Sequence, residues 1–188
     1  MIIIWITGTI WSGKWTVMNR LVKKLWFAHF SMREFIVKEI EKRWMIVDRD
    51  SMVEVGNDLR AKYWPWYIAE KLYEEAKQSW KNSIIESIRT LWEAQLLKSK
   101  WGFYLLSVDA DPEIRYERIV SRASETDNIS YWEFLDNEHR EMNSDDPNKQ
   151  NISKCIQLSD YKILNNGTIQ ELDEQLENAI RELKISNW

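Results

Sequence analysis

At 188 residues the chain has room for one domain with a sizeable core and too little for two. It is 44% hydrophobic and 30% charged with a net charge of −4, which argues against a general nucleic-acid or membrane-surface binder and asks a local basic cluster to hold any anionic ligand. The single cysteine, Cys155, leaves no intrachain disulfide and no thiolate-rich zinc site, and the short apolar opening run without a basic leader predicts a cytoplasmic protein with no membrane span.

The run 2–7 (IIIWIT), apolar and β-branched, predicts a buried strand ending at Gly8. From Lys14 the spacing of Val17, Leu21, Val22 and Leu25 is helical. A short strand is expected at 27–30, then a helix opened by Ser31 with Glu34 behind it and running to about Arg43. Asp50 or Ser51, followed by Glu54, is expected to open a third helix to about Tyr63, and Pro65 to restart a fourth over 66–79. Strands are predicted at 82–87 and 103–108, each followed by a helix, at 91–99 and 112–122, the second begun by Pro112. Residues 123–129 read as loop, 130–142 as helix and 144–151 as a turn-rich loop. A last strand and the turn that follows it occupy 160–167, and Thr168 with Glu171 caps a final helix to about Leu183. Short apolar strands alternating with helices specify an α/β fold, a parallel sheet covered on both faces. We expect a single domain over 1–188, with the polar stretch 123–151 as a helical lid inserted over one sheet edge.

The usage of two residue types is abnormal. There are 12 Trp and only 5 Gly, where typical usage gives roughly 13 Gly in a chain of this length. Trp26, Trp44, Trp64 and Trp80 each follow a predicted helix, and Trp101 precedes Gly102 in a turn. Helix C-termini favour glycine because it takes φ > 0 without a β-carbon penalty. Nothing comparable favours an indole there.

The same substitution explains the stretch GTIWSGKWT (8–16). With glycine in place of Trp11 and Trp15 it reads GTIGSGKGT, a G-x-x-x-x-G-K loop ending in Thr between a strand and a helix, the context of a phosphate-binding P-loop. In such a loop the backbone amides of Gly8, Thr9, Ile10, residue 11, Ser12, Gly13, Lys14, residue 15 and Thr16 converge on phosphate oxygens. Lys14 supplies a point charge to the β- and γ-phosphates, and the Thr16 hydroxyl helps hold Mg²⁺. Two further groupings point the same way. Glu86 closes a buried strand at the sheet end where such folds place their sites, and Arg89 follows three residues on. Arg115, Arg118 and Arg122 share a helix, the last two on one face, and suit an anion unless they pair with Glu113, Glu117 and Glu125 as a charged surface. Ser31, Arg33, Asn57, Arg60 and Arg140 are weaker ligand candidates; His29 and His139 read as structural.

The strand, the GTI(W)SGK(W)T loop and the following helix resemble those of adenylate-kinase-like P-loop kinases. ERIVSR (117–122) is similar to the helix before the lid in nucleoside monophosphate kinases, IIESIRT (84–90) to the strand-end acid and following arginine of that superfamily, and SDYKILNNGTIQEL (159–172) to dephospho-CoA kinases. The resemblance implies a three-layer αβα sandwich of the P-loop NTPase type and an ATP- and Mg²⁺-dependent kinase acting on a small nucleotide. A (deoxy)nucleoside monophosphate is the leading acceptor and dephospho-CoA the second; a nucleotide-binding switch and a catalytically dead relative are the rival readings. It implies catalytic roles for Lys14, Glu86, Arg89, Arg118 and Arg122, nucleotide contacts from 8–16 and Arg118, and Mg²⁺ ligation through Thr16 and Glu86. Acceptor contacts would come from Ser31, Arg33, Asn57, Arg60, Arg89 and Arg140, in a monomer or homodimer with no nucleic-acid or membrane partner. Where the kinases carry D-G-[FI]-P-R this chain has Glu86-Ser-Ile-Arg89, and where they carry Thr-Gly-Asp it has Ser31-Met-Arg33-Glu34, so acceptor identity departs from the pattern. Those kinases commonly carry glycine at the positions matching 26, 44, 64, 80 and 92. A UGA codon is read as tryptophan in one genetic code and glycine in another, which predicts glycine at 5, 11, 15, 26, 44, 64, 80, 92 and 101, with 66, 132 and 188 undecided.

Overall fold

The computed structural model describes residues 1–100, 102–122 and 129–185. Strand β1 (Ile3–Gly8) is buried along its whole length because it is paired on both sides, with β3 (Ser83–Glu86) and β4 (Phe103–Asp109). β2 (Ala28–Ser31) adds to β3 and β5 (Tyr161–Leu164) to β4, which gives an all-parallel sheet of order β2-β3-β1-β4-β5. Parallel neighbours cannot be joined by a tight turn, so helices carry the crossovers. They are α1 (Lys14–Leu25), α2 (Met32–Lys42), α3 (Arg49–Lys62), α4 (Tyr67–Gln78), α5 (Leu91–Lys98), α6 (Pro112–Arg122), α7 (Tyr131–Met142), α8 (Ile152–Gln157) and α9 (Ile169–Glu182).

Successive strand side chains point to opposite faces. Ile3 and Trp5 join Ile85 and Leu105 beneath residues of α2, α3, α4, α5 and α8. Ile4 and Ile6 join Ile84, Leu106, Val108 and Ile163 beneath α1 and α9. The result is a three-layer αβα sandwich. A smaller core of Ile10, Ile119 and Phe134, with Tyr116 and Tyr131 against it, packs α6 and α7 onto the loop after β1.

Two local features differ from the sequence reading. Helix α3 begins earlier than Asp50, because the Asp48 carboxylate accepts from Ser51 N (2.8 Å) while the Ser51 hydroxyl accepts from Asp48 N (3.0 Å); this Asp-x-x-Ser pair closes a reciprocal cap. Helix α8 has no periodic signature long enough to read, and Asn151 caps it by accepting from Lys154 N. The part of the expected lid at 123–128 lies outside the described residues.

The backbone discriminates among the tryptophans. Trp11, Trp26, Trp44 and Trp80 have φ of 61°, 57°, 59° and 56°. The last three are 87%, 96% and 89% exposed, so their indoles bury almost nothing to offset a left-handed backbone. Trp64 does not take the left-handed C′ position expected of it. Helix α3 is closed by Tyr63 with φ −104°, and Trp64 packs edge-on against Tyr67 while donating to Glu70 (3.1 Å). Trp5 is extended and buried, and Trp15 and Trp92 lie in helices, so the backbone makes no demand for glycine at these three. Trp101 and Trp188 lie outside the described residues.

Candidate active site

The loop between β1 and α1 is shaped by two glycines. At Gly8 (φ 137°) a β-carbon would lie 1.8 Å from the Val108 carbonyl oxygen, so only glycine lets β1 and β4 end side by side. Gly13 (φ 94°) starts α1, and a β-carbon there would meet Asn165 Nδ2 at 2.4 Å. Helices α2, α3, α5, α7, α8 and α9 each begin under a side-chain cap, whereas α1, at Gly13, and α4, at Trp66, begin with none; of these two only α1 starts at a glycine in the left-handed region. The first amides of a helix have no partner within it, and here no side-chain cap supplies one. Lys14 curls back over the loop and donates to the carbonyls of Gly8 (3.0 Å) and Thr9 (2.5 Å). Burial is the main influence that lowers its pKa, to about 7; Arg89 lowers it further while Glu141 and Glu86 raise it.

The loop is braced from the neighbouring strands. Thr9 donates its hydroxyl to Asp109 at the end of β4 (2.6 Å). The Asn165 amide, just after β5, donates to the Ser12 carbonyl (2.8 Å). Asn165 also accepts from Arg118 through its backbone oxygen (2.7 Å), so one buried residue joins the phosphate loop to α6.

On the other side of Lys14, Glu86 accepts from the Ser31 hydroxyl (2.8 Å), and His29 Nε2 stands 4.0 Å from the same carboxylate. His29 and Ser31 line a cavity of about 290 Å³ between β2, α2 and α4. The chain leaves Glu86 through Ser87 in a left-handed conformation (φ 72°), with Ser87 N bonded to the Ile6 carbonyl (2.7 Å). Strain of this kind is held only where the surroundings fix it. Arg89 follows, and its guanidinium donates to Glu141 of α7 (2.5 Å) and to Gln150 (3.0 Å). The second Glu141 oxygen accepts from Arg49 at the start of α3 (2.5 Å). A cavity of about 360 Å³ opens beside this bridge, lined by Asn57, Arg140, Glu141, Lys149 and Gln150 among others.

The arginines of α6 divide by role. Arg115 is buried, donates to the carbonyls of Ala110 and Ile10, and pairs with Glu138 of α7 (2.7 Å); it is a brace between loop and α7. Arg118 has a buried Nη1 with no hydrogen-bond partner among the described residues. Arg122 lies over the Trp11 indole at 5.2 Å. Among the acceptor candidates, Ser31 lines the smaller cavity, Asn57 and Arg140 line the larger one, and Arg89 belongs to the Glu141 bridge. Arg33 is exposed on the first turn of α2, and Arg60 is sealed against Glu93 (2.9 Å; 3% and 0% exposed). The sequence reading passed over Arg49, Glu141 and Asn165. Only Asn165 carried a signal, a polar residue directly after an apolar strand, and it was read as part of a turn.

This set suits a polyphosphate. The start of α1 has no side-chain cap and Arg118 Nη1 has no acceptor among the described residues, while the Lys14 ammonium is held over the loop by two of its carbonyls. Among the described residues there is no group of three or more His, Cys, Asp or Glu that could hold a metal ion. No helix among the described residues is long and apolar enough to cross a membrane.

The surroundings of the site agree with what the chain is similar to. A UPF0200 protein of Methanothermobacter thermautotrophicus is 30% identical over 185 residues, covering 97% of this chain and 91% of its own. A shikimate kinase from Bacteroides thetaiotaomicron superposes with a TM-score of 0.63 at 11% identity, over 97% of this chain and 98% of that one. A dephospho-CoA kinase from Campylobacter jejuni gives 0.50 at 15% identity, over 96% of each. The profile of a family described as an AAA domain matches residues 4–146, phosphate loop included. The chain belongs to that AAA-domain family and has the fold of P-loop kinases.

Proposed function

We propose that the protein is an ATP- and Mg²⁺-dependent phosphotransferase acting on a small nucleotide, with a (deoxy)nucleoside monophosphate as the leading acceptor. The observation that carries this reading is the start of α1 without a side-chain cap behind Gly13, with the Lys14 ammonium folded over the loop and within the influence of Arg89, Glu141 and Glu86. ATP, when bound, supplies the transferable phosphoryl group and Mg²⁺ neutralises its charge. The amides of 8–16 and Lys14 hold the phosphates, and Thr16 and Glu86 hold the metal. Arg118 offers its free Nη1 to the transferring charge, Arg122 adds a second cation on the same helix face, and Arg89 faces the acceptor side. Ser31, hydrogen-bonded to Glu86, and Asn57 and Arg140, beside the larger cavity, contact the acceptor. Residues 123–151 act as the lid that excludes water. Catalysis of this kind is mostly positioning and electrostatics.

The reading includes glycine at 11 and 15 in the active protein. At 11 the left-handed backbone supports it; at 15 the support is the loop motif alone. The test is ATP turnover by the chain carrying Trp11→Gly and Trp15→Gly, screened against nucleoside monophosphates and dephospho-CoA. Acceptor-dependent ADP release that Lys14→Met abolishes is the expected result, with little ATP binding by the chain that keeps both indoles. Tight ATP binding that no acceptor stimulates would replace the kinase reading with that of a nucleotide switch.

A further inference from the structure

Two buried or half-buried Arg–Glu groupings in this protein have the same chemistry and opposite surroundings. Arg60–Glu93 is closed on all sides, and Glu93 also caps α5 by accepting from Thr90 N (3.1 Å); it is a strut. The Glu141 bridge is different. Each of its carboxylate oxygens goes to a separate guanidinium, Arg49 from the start of α3 and Arg89 from the segment after β3. Both guanidinium groups keep a path to water, 40% and 29% exposed, while the carboxylate between them is 8% exposed. One wall of the 360 Å³ cavity is Glu141 itself. Asn57 also lines this cavity, and its buried Oδ1 has no hydrogen-bond donor among the described residues.

Without the carboxylate, two cations from different elements would face each other across a gap. Two arginines forking onto one group are the usual way a protein binds a planar or tetrahedral oxyanion. We propose that Arg49 and Arg89 form an oxyanion site that Glu141 fills as a resident stand-in, to be displaced by the phosphate monoester of an acceptor that also carries an N–H or O–H donor for Asn57. The acceptor role rests on the kinase reading above; the oxyanion site and its occupant do not. Glu141 lies three residues after Glu138, on one face of α7, and Glu138 holds Arg115 beneath the phosphate loop. Displacement of Glu141 therefore releases its two ion pairs and leaves α7 tethered by Glu138–Arg115 and by the exposed Arg140–Asp50 pair (4.0 Å). By linkage, whatever loosens Glu141 tightens the anion to the same degree.

The test uses inorganic phosphate and the full chain with Lys14→Ala, so that the loop at 8–16 does not contribute its charge. Titration calorimetry of that parent is compared with the same chain carrying Glu141→Gln. The added substitution is expected to tighten phosphate binding about tenfold or more, and a further Arg49→Ala to abolish the gain. No gain from Glu141→Gln, or a gain that survives Arg49→Ala, would overturn the proposal. The same displacement is readable with Glu141 intact, which guards against a Gln variant that folds poorly. Saturating phosphate should raise amide hydrogen exchange over 131–142 in the parent, and unchanged exchange with phosphate bound would also overturn it. Because Lys14 is absent throughout and the readout is the dependence on Arg49 and Glu141, a negative outcome here leaves ATP turnover in the earlier screen untouched, and a failed screen leaves this site untouched.

Discussion

Trp26, Trp44 and Trp80 offer a measurement of backbone strain with little packing to confuse it. Each follows the end of a helix with φ between 56° and 59° and an indole almost wholly in solvent. A β-carbon in the left-handed region costs about 1–2 kcal/mol, and glycine gives back about 0.5–1 kcal/mol through the freer unfolded chain. The net gain is about 0.5–1 kcal/mol at each site. The three sites lie on different helices, and adding them as independent terms gives about 2 kcal/mol for the triple variant Trp26→Gly, Trp44→Gly, Trp80→Gly. For a chain of this size that is an upward Tm shift of about 4–8 °C. Urea unfolding followed by far-UV circular dichroism avoids the change in fluorescence, and calorimetry gives Tm. Trp132 is the control: it is 75% exposed but lies in the first turn of α7 with a helical backbone, so Trp132→Gly should destabilise by about 0.5 kcal/mol. A triple variant no more stable than the parent, or a Trp132→Gly that stabilises as much, would refute the argument. UGG codons at these positions, or an intact mass of the natural protein that requires tryptophan there, would remove glycine from the natural chain.

Two further outcomes follow from groups whose environment is unlike their expected role. Arg60→Ala leaves Glu93 charged and sealed, so it should cost about 3–5 kcal/mol of stability with no change in KM for the acceptor; a KM effect at full stability would return Arg60 to the acceptor site. Lys14 has a folded pKa of about 7 against an ordinary 10.5, so between those values the unfolded chain binds more protons and stability should rise with pH. The rise is measured against Lys14→Met by urea unfolding from pH 7 to 10, and identical slopes for the two chains would contradict it.

The layered fold was legible because its signals are local. Apolar runs such as 2–7 and 103–108 and the caps at Ser31 and Thr168 need no partner to be read. The loop at 8–16 was legible because its glycines and lysine are adjacent in sequence. The acceptor side was less so. Arg49, Arg89 and Glu141 come from three separate elements, and nothing near any one of them in sequence announces the other two. Arg60 was misplaced for the converse reason, since a sealed arginine and a ligand arginine look alike until burial is known. The tryptophans fall between these cases. Helix ends were readable at 26, 44 and 80, while at 64 a nearby Glu70 and Tyr67 gave the indole a site of its own.

The bracing of the phosphate loop has an entropic side. A loop of this length left to itself would sample many shapes, and a ligand would have to freeze one of them on arrival. Here Asp109 fixes Thr9 from one strand end and Asn165 fixes Ser12 from the next. One anchor ends β4 and the other directly follows β5, and neither bond uses a backbone amide of the loop. The cradle is therefore ordered before anything enters it, and little of the binding free energy is lost to shaping it. Occupancy then tracks ligand concentration rather than a slow folding of the loop.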